Sequence, residues 1–206
     1  MHLPANNATS FAPPPAGTHV AICYRVVDLG TQMIDFQGQT KFQHKIMLSW
    51  ELPDELMDDG QPFSVHKRYT LSSHEKSTLR KDLESWRGKP FTDDEFGPNG
   101  TFDIKNVIGV GCMLNILHTE REGKTYANVS AVLKMVKGMP MPAMANEKVY
   151  FNLDAFDKAA FDKLSEGIQN IIKKSPEWAK MNVQAPLDDI PPPSAADDHS
   201  GEEIPF

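Results

Sequence analysis

The sequence predicts a mainly β domain with accessory helices, and three observations carry that expectation. Short runs rich in β-branched and aromatic residues alternate with polar positions. One amphipathic helical stretch interrupts them after the third run. Two Gly- and Pro-punctuated ends then flank the block, one polar and Pro-rich, the other acidic. The chain has 206 residues, 40% hydrophobic and 24% charged, which suits one globular domain with appendages. Apolar stretches such as Val129–Val136 are strand-sized, far short of the ~20 residues of a spanning helix, so no membrane segment is expected. The first apolar cluster lacks a basic flank and is broken by Pro13, Pro14 and Pro15, which argues against a secretory signal. Two cysteines, Cys23 and Cys112, are too few for a disulfide scaffold or a structural zinc site. The expectation is a soluble, intracellular protein.

Residues 1–16 read as a flexible N-terminal arm. Thr18–Leu29 forms a strand ending at Gly30. Lys41–Glu51 alternates cleanly, with Phe42, His44, Ile46, Leu48 and Trp50 on one face and Lys41, Gln43, Lys45, Met47 and Ser49 on the other, so one face is expected buried and the other wet. After an acidic loop over Pro53–Pro62, Phe63–Leu71 is the third strand. Ser72 or Ser73 caps a helix over about His74–Trp86, with Leu79, Leu83 and Trp86 on its apolar side, and Gly88 and Pro90 end it. Gly111–Thr119 and Thr125–Met135 make a hairpin around Gly123. Five strands with a helix between the third and fourth is the order of the oligonucleotide/oligosaccharide-binding (OB) barrel, placed here at residues 17–136. Residues 137–181 follow as a Pro- and Met-rich connector, a helix over about Asp154–Lys174 and a short helix opened by Ser175-Pro176-Glu177-Trp178. These helices pack on the barrel or serve self-association into a homo-oligomer. Residues 182–206 read as a disordered acidic tail.

The net charge is −7, from 21 Lys and Arg against 28 Asp and Glu. Six of the acids (Asp188, Asp189, Asp197, Asp198, Glu202, Glu203) lie in residues 182–206 with no Lys or Arg, leaving a nearly neutral body that tolerates an anionic ligand. No chemistry of catalysis emerges. The seven histidines show no metal-ligand spacing, and His44 reads as a satisfied core or rim histidine. Cys23 and Cys112 read as buried inert thiols. Gly109-Val110-Gly111 precedes a strand rather than a helix, and no phosphate loop is present. The carboxylate clusters Asp58-Asp59 and Asp93-Asp94-Glu95 read as solvated loops. The sequence therefore predicts neither catalytic residues, nor a metal, nor a cofactor.

Lys41, Lys45 and Arg68 share the polar parity of the second and third strands, with Gln43 and His66 between them, and Arg25 has it on the first. In an OB barrel these strands line the ligand groove, flanked by the loops after the first strand and before the fifth. Single-strand binders pair cations for phosphates with rings for bases, and Phe36 and Tyr126 stand near the rims. Trp50 and Tyr69 join only if a bulge switches their parity.

The chain ends Gly201-Glu202-Glu203-Ile204-Pro205-Phe206. Acids need no terminal Ile-Pro-Phe to stay solvated, whereas a ligand does: Phe206 fills a pocket, Pro205 limits the entropy lost on ordering, and Glu202, Glu203 and the terminal carboxylate meet basic groups. This end resembles the acidic tip of bacterial and phage single-stranded DNA-binding proteins, with a near-echo at Asp188-Asp189-Ile190-Pro191. The body resembles a family of phage-encoded single-stranded DNA-binding proteins in Pro15–Val20, Asp28–Gln32, Ser77–Gly88 and Ser175–Trp178. The resemblance implies a protein that coats single-stranded DNA without sequence preference during phage replication or recombination, in the cytoplasm of the infected bacterial host. It also implies a tip that recruits a polymerase, nuclease, primase or helicase. The competing expectation is an OB-fold adaptor that binds no DNA and only presents the acidic tip.

Overall fold

The computed structural model describes residues 12–36 and 38–183. Five antiparallel strands form its frame: β1 (Gly17–Phe36), β2 (Gln39–Leu56), β3 (Pro62–Thr70), β4 (Gly111–Arg121) and β5 (Lys124–Leu133). Their order is β3-β2-β1-β4-β5, and a short β6 (Val149–Phe151) joins β1 in parallel. The five long strands and the helix α1 (Thr78–Arg87) between β3 and β4 follow the sequence expectation, while β6, in what reads as connector, adds a sixth strand to the sheet. The barrel is not closed by hydrogen bonds, however. The edges β3 and β5 approach one another, but among the described residues no ladder joins them and the sheet is open.

The inner face carries one core. Ala21, Ile46, Leu48, Trp50, Leu52, Val65, Leu114, Ile116 and Val132 pack there with Leu79, Leu83 and Trp86 of α1. Trp50 meets Trp86 at a centroid distance of 6.0 Å, and the Trp86 indole donates to the Gly111 carbonyl at 2.8 Å. α1 starts later than expected. Its N-cap is Ser77, whose hydroxyl accepts the Arg80 amide, while Ser72 and Ser73 lie in the preceding loop. Gly88 ends it in the left-handed conformation. The β4–β5 turn is Glu122-Gly123, both at positive φ, which is the two-residue geometry that matches strand twist.

Two expectations fail in the same place. Gly30 does not end β1; it sits at φ +69 in a bulge where the β1–β2 register shifts between Asp28 and Gly30, and the strand runs on to Phe36. The expected wet face of β2 is also dry beyond Lys45, whereas Lys41 is exposed and Gln43 and Lys45 are half-buried. Met47 is 2% exposed and Ser49 and Glu51 are both at 0%. Residues from the C-terminal part of the chain cover Met47 and Glu51, and the Arg25 side chain bonds Ser49. The single helix expected over 154–174 is instead two short ones, α2 (Lys158–Asp162) and α3 (Glu166–Ile172), followed by α4 (Pro176–Val183). Asp157 caps α2 through the amides of Ala159 and Ala160. Val27, Leu29 and Met47 form a second core with Phe151, Leu153, Phe161, Leu164, Ile168 and Ile172 on the outer side of the sheet.

Polar contacts fix this cover. Glu51 accepts from the amides of Ala145 (2.8 Å) and Asn146 (2.7 Å) and from the Asn146 side chain (2.7 Å), so the connector is strapped over a buried carboxylate. At the bulge, Asp28 accepts the Gly30 amide (2.8 Å) and pairs with His44 at 2.7 Å. Glu177 accepts the Thr31 amide (2.9 Å) and hydroxyl (2.6 Å), and Gln32 donates to the Ile171 carbonyl (3.1 Å). The two sequence passages Asp28–Gln32 and Ser175–Trp178 therefore form one joint. His44, expected at the core or rim, is half-buried there with its carboxylate partner.

Candidate nucleic-acid interface

Cross-strand register decides which side chains share a face. Ser49 lies opposite both Arg25 and His66, Met47 opposite Arg68, and Lys45 opposite Thr70. The outer face thus brings Arg25, Lys45, His66 and Arg68 onto one surface at the β3 side of the sheet, beside the area that the C-terminal segment covers. Arg25 donates from Nε to Ser49 Oγ at 3.2 Å and lies over the Tyr24 ring. Lys45 Nζ donates to Gln43 Oε1 (2.6 Å) and Thr70 Oγ1 (2.7 Å). Partial burial without a counter-charge holds the Lys45 ammonium below its usual value. The His66 imidazole is held down by desolvation, then by the neighbouring charges of Arg68 and Arg25, which keeps it neutral at pH 7.

The cations nearby show the contrast. Lys67 is paired with Asp82 at 2.7 Å, and Tyr69 donates to the same carboxylate at 2.8 Å. Arg80 bonds Glu84 (2.9 Å) and Asp93 (3.0 Å) as well as the carbonyls of Ser73 and Phe91. Arg87 bonds Glu95 at 2.8 Å with its guanidinium 4.0 Å from the Phe91 ring centre. Each of these is a structural tie. Arg25, Lys45 and Arg68 lack a carboxylate partner among the described residues, and so does Lys76 in the loop before α1.

The remaining sequence candidates are dispersed. Lys41 is exposed on the β1–β2 hairpin, four register pairs outward from Lys45. Tyr126 is 48% exposed on the separate β4–β5 hairpin, opposite Thr119 and beside Arg121 and Asn128. Phe36 ends β1, but its side chain lies outside what the structure describes. Glu202, Glu203, Ile204, Pro205 and Phe206 also lie outside the described residues. No parity switch brings Trp50 or Tyr69 outward; both are buried in the inner core.

Phe42 reverses an expectation. Placed on the core face by alternation, it is 68% exposed opposite Met33, because the hairpin extends past the core its inner face would have met. It is an accessible ring that sequence reasoning missed, and its place in the sequence, four residues from the Gly38 turn, was the available signal.

Burial pushes the Cys23 thiol up to about 12 and raises Cys112 as well. Asp93 and Glu95 are engaged with Arg80 and Arg87. Among the described residues no three His, Cys, Asp or Glu side chains gather where a metal ion could be held, and no helix is long and apolar enough to cross a membrane. Comparison with known proteins assigns nothing: no family model matches the chain, and no curated protein matches it.

Proposed function

We propose that this protein binds single-stranded DNA without sequence preference, on the outer face of an OB-type sheet. The observation that carries the reading is the set of cations without carboxylate partners, Arg25, Lys45 and Arg68, gathered on one face while neighbouring cations are matched. Such cations neutralise phosphates irrespective of sequence. Lys41 extends the track along β2, neutral His66 offers a hydrogen bond, and Phe42 and Tyr126 offer stacking rings at the two hairpins, with Phe36 as the further ring that the sequence reading assigns. The strand order β3-β2-β1-β4-β5, with β3 and β5 as the two edges, suits an OB barrel cut along one seam. The phage setting, the infected host's cytoplasm and recruitment of a polymerase, nuclease, primase or helicase by Glu202–Phe206 rest on the sequence resemblance.

The test is a fluorescence titration with oligo-dT at several salt concentrations. Engagement of about four phosphates gives a log–log slope near −3, at ~0.7 per phosphate. Arg25→Ala with Arg68→Ala flattens that slope, whereas Lys67→Ala leaves it. A flat salt response in the parent protein removes the proposal.

One observation favours the adaptor reading: Met47 and Glu51, which would floor a groove on β2, are buried under later parts of the same chain, and Ser49 between them is buried too. Substituting Lys41, Lys45 and Arg68 together separates the two. An adaptor keeps its protein partner and has no DNA affinity to lose.

A further inference from the structure

Where β3 ends, the basic face does not stop. The loop from Leu71 to Ser77 turns back beside it and closes a cleft of about 510 Å³ lined by Lys45, Arg68, Thr70, Ser72, His74 and Lys76, with no carboxylate in its wall. The loop's one acid, Glu75, does not line the cleft. The loop is held in place by its own hydrogen bonds. Ser77 Oγ donates to the Ser72 carbonyl at 2.8 Å, the Ser77 amide to the His74 carbonyl at 2.8 Å, and the Leu71 amide to the His44 carbonyl at 2.8 Å.

Those bonds leave donors unspent. The Lys76 amide donates to His74 Nδ1 at 3.1 Å, so in the neutral imidazole the proton resides on Nε2 and that nitrogen is a donor. Ser72 Oγ accepts the His74 amide, which leaves its own O–H proton available. Lys45 uses two of its three ammonium protons on Gln43 and Thr70. With Arg68 and Lys76, the cleft offers five donor side chains, three of them positively charged, with only hydroxyl and carbonyl oxygens to answer them. A desolvated ammonium held by neutral acceptors is costly unless an anion joins it.

We propose that this cleft seats a phosphate group of the bound nucleic acid, so that the strand leaves the sheet across the end of β3 and enters the loop before α1. The proposal rests on the single-strand reading above and adds Ser72, His74 and Lys76 to its contacts. Phosphate fits better than carboxylate because the donors come from three separate segments (β2, β3 and the 71–77 loop) and converge from several directions on one space. A tetrahedral dianion or diester presents oxygens to all of them.

The decisive experiment uses the full chain and oligo-dT, titrated across salt concentrations with Lys76→Ala, Lys76→Arg and, as a charge-matched control away from the cleft, Lys81→Ala. Lys76→Ala is expected to weaken binding and to reduce the magnitude of the log–log salt slope by about 0.7, the share of one phosphate. Lys76→Arg retains the slope and Lys81→Ala does not change it. A second arm compares oligonucleotides bearing a 5′-phosphate, a 3′-phosphate or neither. Tighter binding of one phosphorylated end, lost in Lys76→Ala, assigns the cleft to a terminal phosphate; equal affinities with the slope loss assign it to the backbone. Binding with an unchanged slope in Lys76→Ala, or an equal loss in Lys81→Ala, overturns the cleft and leaves the sheet face standing. No binding by the parent protein overturns both.

Discussion

The joint at Gly30 gives the sharpest stability test, because steric and conformational costs both follow from coordinates. A Cβ at Gly30 would lie 2.6 Å from Ser175 Cβ, 2.7 Å from its hydroxyl and 2.9 Å from a Leu153 methyl, at a φ of +69. Carbon atoms rest about 3.5–4.0 Å apart, so the α3–α4 corner must retreat by roughly 1 Å. Adopting the left-handed region with a side chain costs about 1–2 kcal/mol. Overpacking a filled site adds about 1–3 kcal/mol. Gly30→Ala should therefore lose roughly 2–5 kcal/mol, read as a drop in the urea midpoint. Hydrogen exchange should localise the damage, with protection falling at the Thr31 amide, bonded to Glu177, and at the Leu153 amide, bonded to Asp28. Adding Ser175→Gly relieves the nearest clash but not the backbone strain, so the double variant should recover part of the loss. Destabilisation below about 0.5 kcal/mol would refute the close docking of the C-terminal segment on β1. Full recovery in the double variant would refute the backbone share.

Three other outcomes follow from contacts described above. Glu51→Gln keeps the shape but turns one acceptor into a donor facing amide N–H groups, and urea denaturation should show a loss of about 1.5–3 kcal/mol, the range for hydrogen bonds to a charged group; an unchanged midpoint would show that the connector is not anchored there. The hydrogen bond from Arg87, then the Thr92 amide, holds the Glu95 carboxyl down to about 2, so its contribution is complete above the ordinary 4.5 and is lost as pH falls toward 2; Glu95→Gln should lower the melting temperature at neutral pH and flatten its fall across that window, and an unaltered acid limb would break the assignment. Removing residues 184–206 takes away six carboxylates and should tighten oligo-dT binding, most at low salt, whereas equal affinity at all salt concentrations would show that tail and strand do not compete.

The strands were legible because one face of each meets a core within the same 120-residue block, and alternation records that burial directly. What failed was whatever depended on a distant segment. Met47, Ser49 and Glu51 alternate with a true core row and look wet, yet a cover supplied by residues 145–178 dries Met47 and Glu51, and Ser49 between them is buried too. Gly30 looks like a strand end because a bulge and a turn ask the same thing of a glycine, positive φ, and only the register separates them. The same logic sorts the site. Arg25, Lys45, His66 and Arg68 share a face by parity, which a sequence displays. The cleft before α1 exists because a loop folds back on the end of β3, and Ser72, His74 and Lys76 in isolation looked like the start of a helix.

The cover also constrains the footprint of any strand bound here. With β1 and the middle of β2 occupied by β6 and the C-terminal helices, the outer surface still open follows β3 from Ser64 to Thr70, six residue steps. At about 3.3 Å per residue that track is roughly 20 Å long before it reaches the cleft. A longer path would have to cross the exposed β1–β2 hairpin, where Lys41 and Phe42 stand, or displace the C-terminal segment and open the Glu51 and Glu177 contacts together. Loss of several hydrogen bonds to carboxylates opposes displacement more strongly than one extra phosphate contact favours it. On the proposed single-strand reading, the open route therefore belongs at the low end of the roughly 4–16 nucleotides that single-strand-binding OB folds occupy, with the C-terminal segment, rather than the sheet, setting that length.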